Sequence, residues 1–91
     1  KVILVSGRDA VCRAQTEQWL HDNNIKYDYL FMREQNDMRC DTIVKKEIYN
    51  THIKDKFNIA FVIDDRKKVV EMWRNEFGLF VFNVDQSGLD F

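Results

Sequence analysis

The chain has 91 residues, 45% of them hydrophobic and 32% charged, with three Gly, no Pro and a formal net charge of -1 at pH 7. These values describe one small globular domain and exclude a disordered or low-complexity chain. They also exclude the broad basic field that announces nucleic acid, so any polyanion must be met by a local patch. Cys12 and Cys40 lie far apart without metal-type spacing, which reads as two free thiols in a reducing cytoplasm. No apolar run approaches the roughly 20 residues of a membrane span, and there is no signal peptide. The sequence opens at Lys1 and passes straight into an apolar run without an initiator Met, which suggests a piece cut from something longer.

Val2 to Val5 is a continuous apolar run, the pattern of a strand covered on both faces. Ser6-Gly7-Arg8-Asp9 should break it. A helix is predicted from about Ala10 to His21, with Asp9 as N-cap and Val11, Ala14, Gln18 and Trp19 on one side. Ile25, Tyr27, Tyr29 and Phe31 alternate, which predicts a short strand with one buried face. Arg33 to Arg39 reads as a polar loop. A second helix is predicted from about Asp41 to Lys54, with Val44, Ile48, Tyr49, His52 and Ile53 as its apolar stripe. Ile59 to Ile63 reads as a buried strand. A third helix should run from about Lys67 to Phe77 with Val69, Val70, Met72, Trp73 and Phe77 inward, and Gly78 is a suitable stop. Leu79 to Val84 reads as the last strand and Asp85 to Phe91 as an irregular tail. The order β-α-β-α-β-α-β predicts a mostly parallel sheet with helices on both faces.

In such a sheet, the loops after strands gather at the carboxyl edge, where ligands bind. Ser6-Gly7-Arg8 follows one strand and Asp64-Asp65-Arg66 another. The first offers a hydroxyl, a flexible glycine, a cation and free backbone N–H groups, all suited to phosphate; taken alone, an ordinary turn is the plainer reading. The second sets two like charges side by side, at a cost of about 4 kcal/mol at ~4 Å and an effective dielectric of ~20. A cation should share that site: Arg66, or a hard divalent ion such as Mg²⁺. A solvated turn capping a helix is the plainer alternative. Asp41 and Lys45 are four apart at a helix start and share a face, either as a surface pair or as a lysine aimed at phosphate. Arg33 and Arg39 could clamp a substrate phosphate or face solvent. His21, His52 and the tyrosines and tryptophans read as structural.

Taken together, these stretches resemble the haloacid-dehalogenase superfamily. More specifically, they are similar to the 3′-phosphatase domain of bifunctional phage polynucleotide kinases. The resemblance rests on Val5-Ser6-Gly7-Arg8, on Arg33-Glu34-Gln35-Asn36-Asp37-Met38-Arg39, on Asp41 through Ile48, and on Ile63-Asp64-Asp65-Arg66 continuing through Val69-Val70-Glu71-Met72-Trp73-Arg74. It implies a Rossmann-like α/β domain spanning residues 1–91, incomplete at its N-terminal side. It implies Mg²⁺-dependent removal of a 3′-phosphate from DNA or RNA ends through a phospho-aspartate. Ser6 would hydrogen-bond the phosphoryl group, Lys45 would neutralise it and Asp41 would position Lys45. Asp64 and Asp65 would hold Mg²⁺ or orient its waters, and Gly7, Arg8, Arg33 and Arg39 would contact substrate.

One departure is large. The family's first motif, Asp-x-Asp-x-Thr, carries the nucleophile and the general acid, and no aspartate here is followed two positions later by another. No Gly-x-x-x-x-Gly-Lys-[Ser/Thr] loop is present either, and Cys40 stands where close relatives would carry a basic residue. The segment alone is therefore expected to be inactive, with the missing N-terminal part of its own chain as its first partner, nucleic-acid 3′ ends as substrate and oligomerisation left open. No membrane association is expected, and the location would be cytoplasmic, in a host cell if phage-encoded. Two other readings stay open: a superfamily phosphatase acting on nucleotides or small phosphoesters, and a non-catalytic α/β module binding nucleic-acid ends or a protein.

Overall fold

A computed structural model describes residues 1–85 and builds them from parallel strands and helices, as the alternation of apolar runs and amphipathic stretches predicts. The residues form two compact units, Lys1–Ile48 and Tyr49–Phe91. Each has its own two-stranded parallel sheet. Residues 86–91, the greater part of the irregular tail read from the sequence, lie outside the described residues.

In the first unit, β1 (Ile3–Asp9) pairs with β2 (Tyr29–Arg33) in the register Ile3↔Tyr29 to Ser6↔Met32, then Asp9↔Arg33. The strand thus continues through Ser6-Gly7-Arg8-Asp9 where the sequence suggests a break. The register shift between Ser6 and Asp9 is a bulge, a device that re-aims backbone at sheet rims and beside active sites. Asp9 Oδ1 then accepts from Val11 N at 2.8 Å and starts a 3₁₀ turn, Ala10–Cys12, which leads into α1 (Arg13–Asp22). That turn shifts the helix phase. Val11 and Trp19, expected inward, are exposed, and Thr16 and Leu20 are buried instead. Leu20 packs with Leu30, Met32 and Leu4 to make the unit's core. Burial in β2 likewise falls on Leu30 and Met32 rather than on Tyr29. α2 (Asp41–Ile48) lies against β1 and β2.

In the second unit, the chain follows a wide π-type turn, Tyr49–Ile53, closed by Lys54 N donating to Tyr49 O at 2.8 Å. The sequence gives no sign of this widening, and the stripe predicted through Lys54 holds for Tyr49 and Ile53 but not for His52, which is exposed. β3 (Val62–Asp64) pairs with β4 (Val81–Asn83). Between them runs α3 (Lys67–Asn75), whose Val69, Val70, Met72 and Trp73 are buried. Gly78, at φ 64°, follows the helix, and its N–H donates to Arg74 O at 3.1 Å. The sequence makes β3 a doubly buried strand, but only one face of this sheet is covered. Phe61, Ile63, Phe80, Phe82 and Val84 keep between 51% and 65% of their surface exposed.

Candidate active site

In the first unit, the bulge after Ser6 places Gly7 against α2. Gly7 has no positive φ, so its backbone would accept any residue; a Cβ there, however, would overlap the Asp41 carboxylate. The glycine is required by close approach and not by flexibility. Asp41 Oδ2 lies 3.6 Å from Lys45 Nζ, one helical turn on, and Asp41 Oδ1 lies 3.5 Å from Arg33 Nη2. The three charged side chains are 12–17% exposed, so their attraction is only partly screened by water. Ser6 sits one residue before Gly7, and its Oγ accepts from Arg8 N at 3.1 Å. The unit thus brings together Gly7, Arg33, Asp41 and Lys45, with Ser6 next to Gly7 in the chain, and leaves the Arg8 side chain exposed at the bulge.

Arg33 has a larger part in the architecture than its place in a polar stretch suggests. Its Nε donates to Gly7 O at 2.7 Å, and its Nη1 donates to Asp37 O at 3.0 Å and to Arg39 O. One guanidinium therefore pins the loop 34–40 to the bulge and to α2. Asp9 adds a second tie, its Oδ2 accepting from Asn36 N at 2.9 Å. These two donors, Val11 N first and then Asn36 N, hold the Asp9 carboxyl below its ordinary range. Arg39 is engaged with Asp37 and Glu47, both at 2.7 Å. Its hydrogen bonds lower the Asp37 pKa from 3.8 to about 2, and lower that of Glu47 as well, while both carboxylates raise that of Arg39. Of the two arginines read as a substrate clamp, Arg33 has a carboxylate and backbone carbonyls as partners and Arg39 has two carboxylates.

In the second unit, Asp64 closes β3 and Asp65 follows. Asp64 Oδ1 accepts from Asp65 N at 2.8 Å, and its Oδ2 accepts from the indole Nε1 of Trp73 at 3.1 Å. Asp64 is half-buried and Asp65 exposed. Asp65 lines a cleft of about 220 Å³ together with Lys67, Glu71, Arg74 and Asn83. Among the described residues no group of three or more His, Cys, Asp or Glu could by itself cage a metal ion. Two adjacent carboxylates do fit Mg²⁺, which commonly keeps several waters and takes one or two carboxylates alongside phosphate oxygens. The sequence shows the acids. It could not show the Trp73 bond, because the signal, an aromatic nine residues on, reads equally as core.

A family model that matches nearly the whole chain places it in the haloacid-dehalogenase-type phosphatase class. It belongs to the family described as the polynucleotide kinase PNKP phosphatase domain, whose model matches residues 1–90. The chain is 36% identical over 91 residues to a protein of Autographa californica nuclear polyhedrosis virus named as a bifunctional polynucleotide kinase/RNA ligase. That match covers 99% of this chain and 13% of the viral protein. Two solved structures, of a Pnkp1/Rnl/Hen1 RNA repair complex and of a Pnkp1/Rnl/Hen1 complex, each contain a chain 45% identical with a TM-score of 0.93. Those matches cover 98% of this chain and 29% and 31% of the matched chains, so it spans under a third of each of these relatives. Among the described residues no helix is long and apolar enough to cross a membrane.

Proposed function

We propose that this chain supplies the phosphoryl-binding and metal-holding residues of a Mg²⁺-dependent polynucleotide 3′-phosphatase. The observation that carries this reading is the Lys45–Asp41 pair, seated against the bulge that follows Ser6. Phosphoryl transfer asks a protein mainly for positioning and charge neutralisation, and a half-buried ammonium held by a carboxylate does both. Ser6 would donate to a phosphoryl oxygen, Lys45 would neutralise the developing charge and Asp41 would fix Lys45. Arg33 would brace the loop that shapes this corner, and Arg8, exposed at the bulge, would meet the nucleic-acid backbone, with Gly7 allowing close approach. Arg39 would hold the loop through Asp37 and Glu47, and would reach substrate only by leaving them.

Asp64 and Asp65 would hold Mg²⁺, which when bound would offset the charge on the phosphoryl oxygens. In this reading, the nucleophilic aspartate lies outside these 91 residues. It would attack phosphorus and release the 3′-hydroxyl with a proton from a second acid, and water would then hydrolyse the phospho-aspartate. Family membership supports the phosphatase class, and likeness to a chain of an RNA repair complex supports polynucleotide ends as substrate. The test is phosphate release by the full-length parent with Mg²⁺, from 3′-phosphorylated RNA and DNA oligonucleotides and from free nucleoside monophosphates. Preference for the oligonucleotides is expected; equal or faster release from free nucleotides would overturn the polynucleotide assignment.

A further inference from the structure

We infer that Trp73 is a positioning residue for the Asp64 carboxylate, and through it for the Mg²⁺ site; this rests on the reading of Asp64 as a metal-holding group. Trp73 is 4% exposed. Its ring is fixed by Tyr49, whose centroid lies 5.6 Å away in an edge-on arrangement, and by Phe77 at 5.9 Å. From that fixed ring, Nε1 donates to Asp64 Oδ2 at 3.1 Å, while the backbone N–H of Asp65 donates to Oδ1 at 2.8 Å. One oxygen is thus set by the local turn and the other by the core. Together they fix the plane of the carboxylate at the exposed end of a three-residue strand. An isolated Asp there would sample several rotamers, and ordering it would be charged against metal affinity. The helix that carries Trp73 thereby acts on Asp64 directly, and the π-type turn that carries Tyr49 acts on it through the Trp73 ring.

A buried indole also seeks any acceptor simply to satisfy its N–H, so the test must separate positioning from core packing. In the full-length parent, Trp73 is replaced by 3-benzothienylalanine, which keeps the bicyclic shape and lacks the N–H. Mg²⁺ affinity is read by calorimetry, with Asp64→Asn as the reference. Loss of an outer partner of a metal-binding carboxylate weakens the metal by about 10- to 100-fold. The same loss is expected here, with the thermal midpoint nearly unchanged. Unaltered Mg²⁺ affinity in that variant, beside weakened affinity in Asp64→Asn, overturns the role of Trp73 and leaves the metal assignment standing. Unaltered affinity in Asp64→Asn overturns both. If the benzothienylalanine variant does not fold, the indole ¹⁵N–¹H resonance of Trp73 in the unmodified parent decides: it is expected to shift as Mg²⁺ is titrated and not in Asp64→Asn. A resonance insensitive to Mg²⁺ overturns the proposal.

Discussion

Replacing Gly7 with Ala tests the architecture of the first unit directly. The added methyl would occupy the place of the Asp41 carboxylate, in a backbone conformation that alanine accepts. The cost must therefore come from displacing Asp41. Forcing a methyl group into filled space costs about 1–3 kcal/mol. Displacement also loosens the ion pairs with Lys45 and Arg33, whose 12–17% exposure sets them between two limits: about 0–1 kcal/mol for surface pairs and about 3–5 kcal/mol for breaking fully buried ones. We expect about 2–3 kcal/mol in all, read as a lower urea midpoint at unchanged slope. The phosphatase rate of the parent should fall about 100-fold, because a displacement of about 1 Å in a positioned group costs that much. A double-mutant cycle makes the cause explicit. In an Asp41→Ala background, the stability cost of Gly7→Ala should drop below about 0.5 kcal/mol. If Gly7→Ala is neutral, or costs as much without Asp41 as with it, the close-approach reasoning is wrong.

Asp37 binds its proton less readily in the folded chain, with its pKa at about 2 against 3.8 ordinarily. Its contribution to loop order should therefore be complete above pH 3.8 and lost as pH falls toward 2, seen as faster amide exchange in residues 34–39; Arg39→Gln should weaken that dependence, leaving the part that comes from the residue 39 backbone N–H. Gly78→Ala should cost about 1–2 kcal/mol from backbone strain alone, since φ is 64° and nothing lies within 4 Å of the new Cβ. A denaturation midpoint equal to that of the unmodified chain would contradict this. The apolar face of Phe61, Ile63, Phe80, Phe82 and Val84 should make the isolated 91-residue chain self-associate at micromolar concentration. The double change Phe61→Thr and Phe82→Thr should lower its sedimentation coefficient toward the monomer value, and a monomeric unmodified chain would refute the idea.

The order of elements could be read from the sequence because apolar runs and amphipathic stretches are local signals. The α/β class, parallel pairing and positions of Val44, Val69, Val70 and Met72 follow from that. Val11 and Trp19 could not be placed, because a 3₁₀ turn before α1 rotates the helix relative to a stripe counted from its start. Gly7 was legible as a special position but not for its reason, since the crowding atom belongs to Asp41, 34 positions on. Arg33 was invisible as a hub because three of its acceptors are backbone carbonyls, which every residue possesses. The acid pair and the lysine stand out in the sequence as charged groups, whereas the Trp73–Asp64 hydrogen bond exists only in the folded chain.

In the proposed function Lys45 neutralises the phosphoryl group of a polynucleotide 3′ end. The measurement that meets it most directly is phosphate release from a 3′-phosphorylated oligonucleotide, with Mg²⁺, by the full-length parent carrying Lys45→Met. Loss of one preorganised charge-stabilising donor costs about 100- to 1,000-fold in rate, and a fall of that size is expected with folding intact. A rate within about twofold of the unmodified enzyme would contradict the account.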